Sequence, residues 1–346
     1  MSVDPELQIG TEEQPFWRTA LLALSRVWIA LFLLVIVGYF SISTPGHAFF
    51  QEENFKTIAL DTAEVILLGI GETFVIVTAG IDLSVGGILV FSGVAGGLVM
   101  LHESGTKAQT DALMYPHAGR GVPLGIVVCL LAGLAWGTFN GIIVAKLKMP
   151  PFIVTLGTLG ITFGAADLLS GGTNLSSVPT GFQNDVGNGT ILGIFVPVLI
   201  AGAAAIMAWI CLRFTRFGRY TAAIGSNEEA ARRAGIKTDR HLIKVYALCG
   251  LLCGLASVID IARFGTETLS AHNTDNLNAI AAVVIGGTSL FGGAGTIVGT
   301  VVGAFIPTVL QNGFIINEID PFWQEVLVGA TIIVAVYIDQ VRRRRL

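Results

Sequence analysis

Charge is scarce in this sequence. Lys and Arg number 20 and Asp and Glu 24 among 346 residues, 13% of the chain, against about 25% in a soluble domain. The basic residues stand at the ends of apolar stretches instead of lining one face, which leaves no nucleic-acid surface. Cysteine is sparse too: Cys129, Cys211, Cys249 and Cys253 all lie in apolar segments, so no disulfide framework is expected. Cys249 and Cys253 are one helical turn apart, but they alternate with Gly250 and Gly254 and have no His or carboxylate beside them. A packing face fits them better than a metal or redox pair. The phosphate loop Gly-x-x-x-x-Gly-Lys-Ser/Thr is missing, so ATP is not bound by that device. His102-Glu103 runs on into Ser104-Gly105-Thr106, an incomplete metalloprotease pattern, and Ser289 lacks the flanks of a hydrolase elbow. With five histidines and no Cys/His cluster, neither enzymatic chemistry nor a metal is expected.

Apolar residues and glycine are what the chain has in abundance. Hydrophobic residues make up 53% and glycine 43 of 346 positions, and the mean hydropathy is +0.74. Repeated apolar stretches near 20 residues with plentiful glycine predict an all-α, polytopic integral membrane protein with closely packed helices. About ten transmembrane helices are expected, near 21–40, 57–79, 85–101, 122–145, 152–169, 191–212, 244–262, 278–290, 296–315 and 323–340. The polar, acidic start (Asp4, Glu6, Glu12, Glu13) and the lack of a small-residue cleavage site after Gly38 mark the first stretch as a retained span. Arg18, Lys146, Lys148, the basic residues between Arg213 and Lys244, and the arginines 342–345 then share one side, the cytoplasm by the positive-inside rule. The opposite side holds only Lys56, Lys107, Arg120 and Arg263. The expected organisation is a cytoplasmic tail 1–20, a permease-like domain 21–341 with a cytoplasmic loop 213–243, and a basic tail 342–346, both termini being cytoplasmic.

The segment 75–89 places Asp82 and Ser84 among Gly80, Gly86 and Gly87. An ionised Asp costs about 2.5–3.5 kcal/mol at the centre of a spanning helix, so the glycines are read as a helix end near Ala79, with Asp82 capping a new helix from Ser84 or Val85. Gly286-Gly287-Thr288-Ser289-Leu290-Phe291-Gly292-Gly293 echoes residues 80–87 between two later spans; this is either a paired pathway element or a coincidence of composition. In the cytoplasmic loop, Ser226-Asn227-Glu228-Glu229 fits a capping box, with Ser226 as cap and Glu229 reaching back. Arg232 and Arg233 follow in the last turn, where the helix dipole favours them, and Gly225 and Gly235 punctuate both ends. By itself this two-turn helix reads equally as a solvated connector or as a docking helix.

Four ordered matches, Thr78 to Gly86, Asn140-Gly141 with Pro150 to Gly157, Gly225 to Ile236, and Ala279 to Leu290, make the chain resemble the ribose-type permeases of ABC importers from about residue 57 to 340. The resemblance implies a permease that pairs with an identical or related copy and sits in a prokaryotic plasma membrane. It would bind two cytoplasmic ATPases (or one fused tandem ATPase) that hold ATP-Mg, this chain needing no cofactor of its own. It would receive a monosaccharide or small polyol from an extracytoplasmic binding protein. Ser226, Asn227, Glu228, Glu229, Arg232, Arg233 and Gly235 then stand for the ATPase-coupling segment. The family often carries acids before the Ala-Ile-Ala-Ala stretch, where this chain has Asn276 and Asn278; amides there still suit a sugar.

Gly80, Asp82, Ser84, Gly86, Gly286 and Gly287 are the expected gate or hinge residues. Pathway candidates are the polar residues within spans: Glu64, Glu72, Asn140 (with Trp136 one turn away), Thr155, Thr158, Asp260, Asn278, Gln311 and Asn312. Each competes with a helix-packing role, as Asn140 shares a face with Gly133, Gly137 and Gly141, and Asp260 and Arg263 are spaced to pair. Two rival readings are kept. One is an ATP-independent carrier or channel using Glu64, Glu72 and Asp260; the other is an amino acid permease, against which the Gly-Ile-Asp-Leu-Ser segment speaks.

Overall fold

The computed structural model describes residues 16–175, 177–320 and 322–344. Most of the tail 1–20 and part of the tail 342–346 lie outside the described residues, as do the side chains of Arg18 and of 342–345. The chain runs through α1 (Phe16–Ser43), a 3-10 turn (Pro45–Phe50), α2 (Glu52–Val77), α3 (Val85–Ser104), α4 (Lys107–Asp111), α5 (Ala118–Lys146) and α6 (Pro151–Ser170). A short helical stretch, α7 (Thr180–Phe182), leads to a two-stranded hairpin, β1 (Thr190–Ile191) and β2 (Ile194–Phe195). Then come α8 (Val196–Phe214), α9 (Arg216–Ser226), α10 (Glu228–Arg233), α11 (Thr238–Phe264), α12 (Asp275–Ile285), α13 (Ile297–Ile316) and α14 (Phe322–Arg344).

Each stretch predicted to span coincides with a helix, and local chemistry sets the boundaries. Pro150 stops α5's extension while Pro151, with its ready-made φ, opens α6; Gly171 closes α6 at φ 68°, a left-handed cap without a Cβ clash. Among the described residues, α3, α5, α6, α8, α11 and α13 are long and apolar enough to cross a membrane. The expectation of a span at 278–290 is corrected: α12 stops at Ile285, because Val284 is followed within three residues by Gly287 at φ 85°. Its 11 residues extend about 16 Å, half of a ~30 Å hydrocarbon core.

The bundle centres on α2, α3 and α11. In the apolar stretches of α3 and α11, 72% and 67% is buried, against 22%, 28% and 22% for α5, α6 and α8. The outer helices instead expose Leu131, Phe152, Ile161, Leu168, Ile206 and Met207, the surface that lipid solvates. Contact between α5 and α11 is backbone to backbone: a Cβ on Gly133 would lie 2.2 Å from the Gly250 carbonyl, and one on Gly250 equally close to that of Gly133. This is small-residue packing of the kind that lets membrane helices approach without a hydrophobic driving force.

Two breaks interrupt the bundle. The first is residues 78–84 between α2 and α3. The second is residues 265–274, which run down beside α3, with Gly93 facing the Glu267 carboxylate and Gly86 facing the His272 carbonyl. Those glycines are seven residues apart, so the segment covers ~10 Å of depth before α12 begins. Irregular backbone at such depth needs protein partners; Leu175 N–H donates to Glu267 O (3.0 Å) and Val178 N–H to Gly265 O (2.8 Å).

Candidate functional site

The cytoplasmic segment is more structured than its sequence indicated. An amphipathic helix, α9, precedes the expected short one; Thr215 caps it by accepting from Phe217 and Gly218 N–H. Residues 238–243, assigned to the loop, already belong to α11. The capping box is corrected as well. Because α9 continues through Ser226, that hydroxyl donates back to Ala222 O (2.9 Å), and the extended Asn227 caps α10 instead, accepting from Ala230 N–H (2.9 Å). Glu229 does not reach back; it pairs with Arg233 (2.7 Å), and both are largely exposed. Arg232, half-exposed, turns back along the chain, 2.8 Å from Glu228 and 3.2 Å from Asp239, which Lys148 also meets at 2.7 Å. Thus α10, α11 and the turn between α5 and α6 are tied by one charge network.

This segment seats on the two glycine turns that the sequence paired. Gly293 N–H donates to Val77 O at 2.9 Å, joining the turn after α12 to the end of α2. A Cβ on Gly225 would fall 1.8 Å from Val77 O, and one on Gly292 2.8 Å from the Ala79 side chain. Ser226 lies against Gly293, whose added Cβ would be 2.5 Å from the Ser226 hydroxyl. The α9–α10 junction therefore touches both the end of α2 at the first break and the glycine turn that precedes α13. Ala79 sits at φ 63°, a left-handed conformation that costs a non-glycine residue roughly 1–2 kcal/mol, and Gly80 N–H closes the α2 end onto Val75 O.

Above this lies a buried polar knot. Helix α3 starts at Val85, as expected, but Asp82 does not cap its first turn. Its carboxylate accepts from Ser84 N–H (2.9 Å) and from the Ser84 hydroxyl. Asn140 Nδ2 donates to Ser84 Oγ (2.8 Å), and Thr158 donates to Asn140 Oδ1 (2.6 Å). Thr155 reaches Ile81 O at 3.2 Å. Asn140 is fully buried, so in this state its amide links α5, α6 and the 78–84 break. Trp136 stacks edge-on against Phe91 and Phe139. Both Glu72 oxygens, Asp82 Oδ2 and the Tyr246 hydroxyl are buried without a hydrogen-bond partner, a reserve of polar capacity beside the break.

On the far side, Asn278 and Gln311 share a cavity of about 200 Å3 with Thr274, Asp275 and Gln324. Asn312, by contrast, donates to Asn54 Oδ1 (2.8 Å). Asp260 and Arg263 do not pair: Arg263 meets Asp61, while Asp260 turns toward His272 (3.4 Å). A turn's separation on one helix allows two side chains to diverge toward different neighbours, and here Arg263 and Asp260 meet different residues of the bundle. Around His272 stand Glu64 (3.3 Å), Glu267 (3.9 Å) and Asp275 (2.6 Å). His272, Glu267 and Asp275 were not singled out in the sequence, because their partner Glu64 lies more than 200 positions away and joins them only in the folded bundle. The polar run between two apolar stretches was the one available signal.

The sequence has close counterparts among known proteins. Residues 54–336 match the family described as the permease component of branched-chain amino acid transport systems. The chain is 37% identical to the ribose import permease RbsC of Escherichia coli K12 over 318 residues, 90% of this chain and 92% of that protein. It is equally similar to RbsC of Bacillus subtilis over 337 residues, 96% and 98% of the two chains. To the fructose import permease FrcC of Rhizobium meliloti it is 37% identical over 308 residues, 85% and 80%. No solved structure matches. The chain, a polytopic helical bundle matched over nearly its whole length, belongs to this family of membrane transport permeases.

Proposed function

We propose that the chain is the membrane subunit of an ATP-driven importer for a monosaccharide or similar small polyol, in the plasma membrane of a prokaryote. The observation that carries this reading is the seating of Gly225 and Ser226 on both glycine turns, since a push on α10 reaches the end of α2 and the turn between α12 and α13. Two cytoplasmic ATPases, or one tandem ATPase with its ATP-Mg, close against α9 and α10; a sugar-binding protein docks on the opposite face. The chain crosses the membrane about ten times with both termini cytoplasmic. A second permease copy, identical or related, completes the pathway. Helix α6 offers it Gly157, Gly160 and Gly164, all open to close approach. Sugar hydroxyls need amide and hydroxyl partners, which Asn278 and Gln311 supply in the outer cavity and the Asp82–Asn140 knot supplies deeper down once the bundle shifts.

Alternating access follows from these contacts. ATPase closure displaces the α9–α10 junction, the two glycine turns move with it, and the bundle exchanges outward- for inward-open states. Charge reversal at the outward pair, Glu229→Lys with Arg233→Glu, is expected to cut ATPase co-purification and uptake at least tenfold with no change in thermal stability. Arg232→Ala should also lower stability, because it opens the internal network. Uptake that persists when ATP is depleted and the ion gradient held would replace the importer with a self-sufficient carrier.

A further inference from the structure

We infer that Asp260, Glu267 and His272 form a binding site for one divalent transition-metal ion, Zn2+ or Mn2+, at the head of α12. The geometry begins with the imidazole. Asp275 Oδ2 lies 2.6 Å from His272 Nδ1, and a carboxylate can only accept, so Nδ1 donates to it. In the neutral ring the Nε2 lone pair then faces Asp260 Oδ1 at 3.4 Å and Glu267 Oε1 at 3.9 Å. Nε2 has no hydrogen-bond partner, and neither do the two oxygens of Glu267, a residue with no solvent exposure at all. Three buried ligand-type atoms thus converge, all within 4.8 Å of one another.

A metal ion is what such a space accepts. Bonds of about 2.1 Å to imidazole nitrogen and carboxylate oxygen put tetrahedral ligand atoms roughly 3.4 Å apart, close to the separations seen here. The mixture of one imidazole and two carboxylates suits Zn2+ or Mn2+. The Nδ1–H···Asp275 hydrogen bond is the outer-shell partner that metal-bound histidines generally have, setting the tautomer and ring orientation. Glu64, 3.3 Å from Nδ1, flanks the same edge, and the nearest guanidinium, Arg263, is engaged by Asp61. Four carboxyl groups surround one imidazole, more oxygen donors than its two nitrogens can partner. An entry route exists, since Asp275 also lines the outer cavity with Asn278 and Gln311. The ion would join the end of α11, the 265–274 break and α12, whose far end abuts the coupling segment through Gly292 and Gly293.

The test uses the full chain in its transporter assembly, purified from membranes without chelator. Elemental analysis should find about one equivalent of Zn2+ or Mn2+ per chain. Chelation should lower the melting temperature, and added Zn2+ or Mn2+ should restore it. Asp260→Asn and Glu267→Gln should abolish this binding. Asp275→Asn keeps all three ligands and guards against loss of fold; it should weaken binding 10–100-fold. Absence of metal together with a melting temperature indifferent to chelator, Zn2+ and Mn2+ would overturn the site and leave His272 as an imidazolium held between carboxylates. Unchanged affinity in Glu267→Gln or Asp260→Asn would overturn it equally.

Discussion

Exchanging Asn140 for alanine removes the donor to Ser84 and the acceptor of Thr158 together. Both partners are fully or nearly fully buried, yet each keeps a second contact, Asp82 for Ser84 and Val154 O for Thr158. A loss of about 1–3 kcal/mol is therefore expected, read as a lower midpoint of thermal unfolding in detergent. Asn140→Asp should be worse, since it brings a second carboxylate toward Asp82; a variant as stable as the parent would show the knot to be dispensable. The sequence made Asn140 visible as a polar residue on a glycine face, but its partners were not legible. They come from a different helix and from a break, and polar residues in membrane interiors advertise only their need for a partner. Arg232 and Arg233 show the same limit: adjacent and chemically alike, they are separated by the 100° rotation per residue, one turning back along the chain and the other pointing outward.

At the scale of elements, the glycine turns were readable and their meeting was not. The echo between 80–87 and 286–293 was open to coincidence; in the fold, the second turn bonds the residue at the end of α2. Gly225→Ala places a methyl 1.8 Å from the Val77 carbonyl, so the α9–α10 junction must lift off the bundle. The expected outcome is uptake reduced by tenfold or more while the ATPase still co-purifies, measured in vesicles. Full uptake would show that this contact transmits nothing. Helix α12 is the complementary case, since hydropathy alone extended it through Leu290. Hydropathy measures apolarity and not direction, and the turn at Gly286 and Gly287 is as apolar as the helix it ends.

For the molecule as a whole, the distribution of charge argues for orientation. Lys148, Arg232 and Asp239 converge at one end, whereas Lys56 and Arg120 at the other pair with local acids. With the chain's own cysteines replaced, Arg233→Cys should react with an impermeant thiol reagent only after cells are opened, and Lys107→Cys in intact cells. The reverse pattern would invert the topology. By itself the sequence determined that the chain lives in a membrane, that helices build it, where most of them begin and end, and which segment between them is polar and helical. These follow from apolar length, from Gly and Pro at helix ends and from the placement of Lys and Arg, all of them properties local in sequence. Only the tertiary structure decided that α12 is a half-length helix, that the α9–α10 junction clamps the end of α2 and the glycine turn before α13, and that Glu64, Asp260, Glu267 and Asp275 surround His272. Such contacts depend on how helices far apart in the chain pack, and on close approaches at Gly133, Gly250 and Gly225 that one helix's own pattern does not encode.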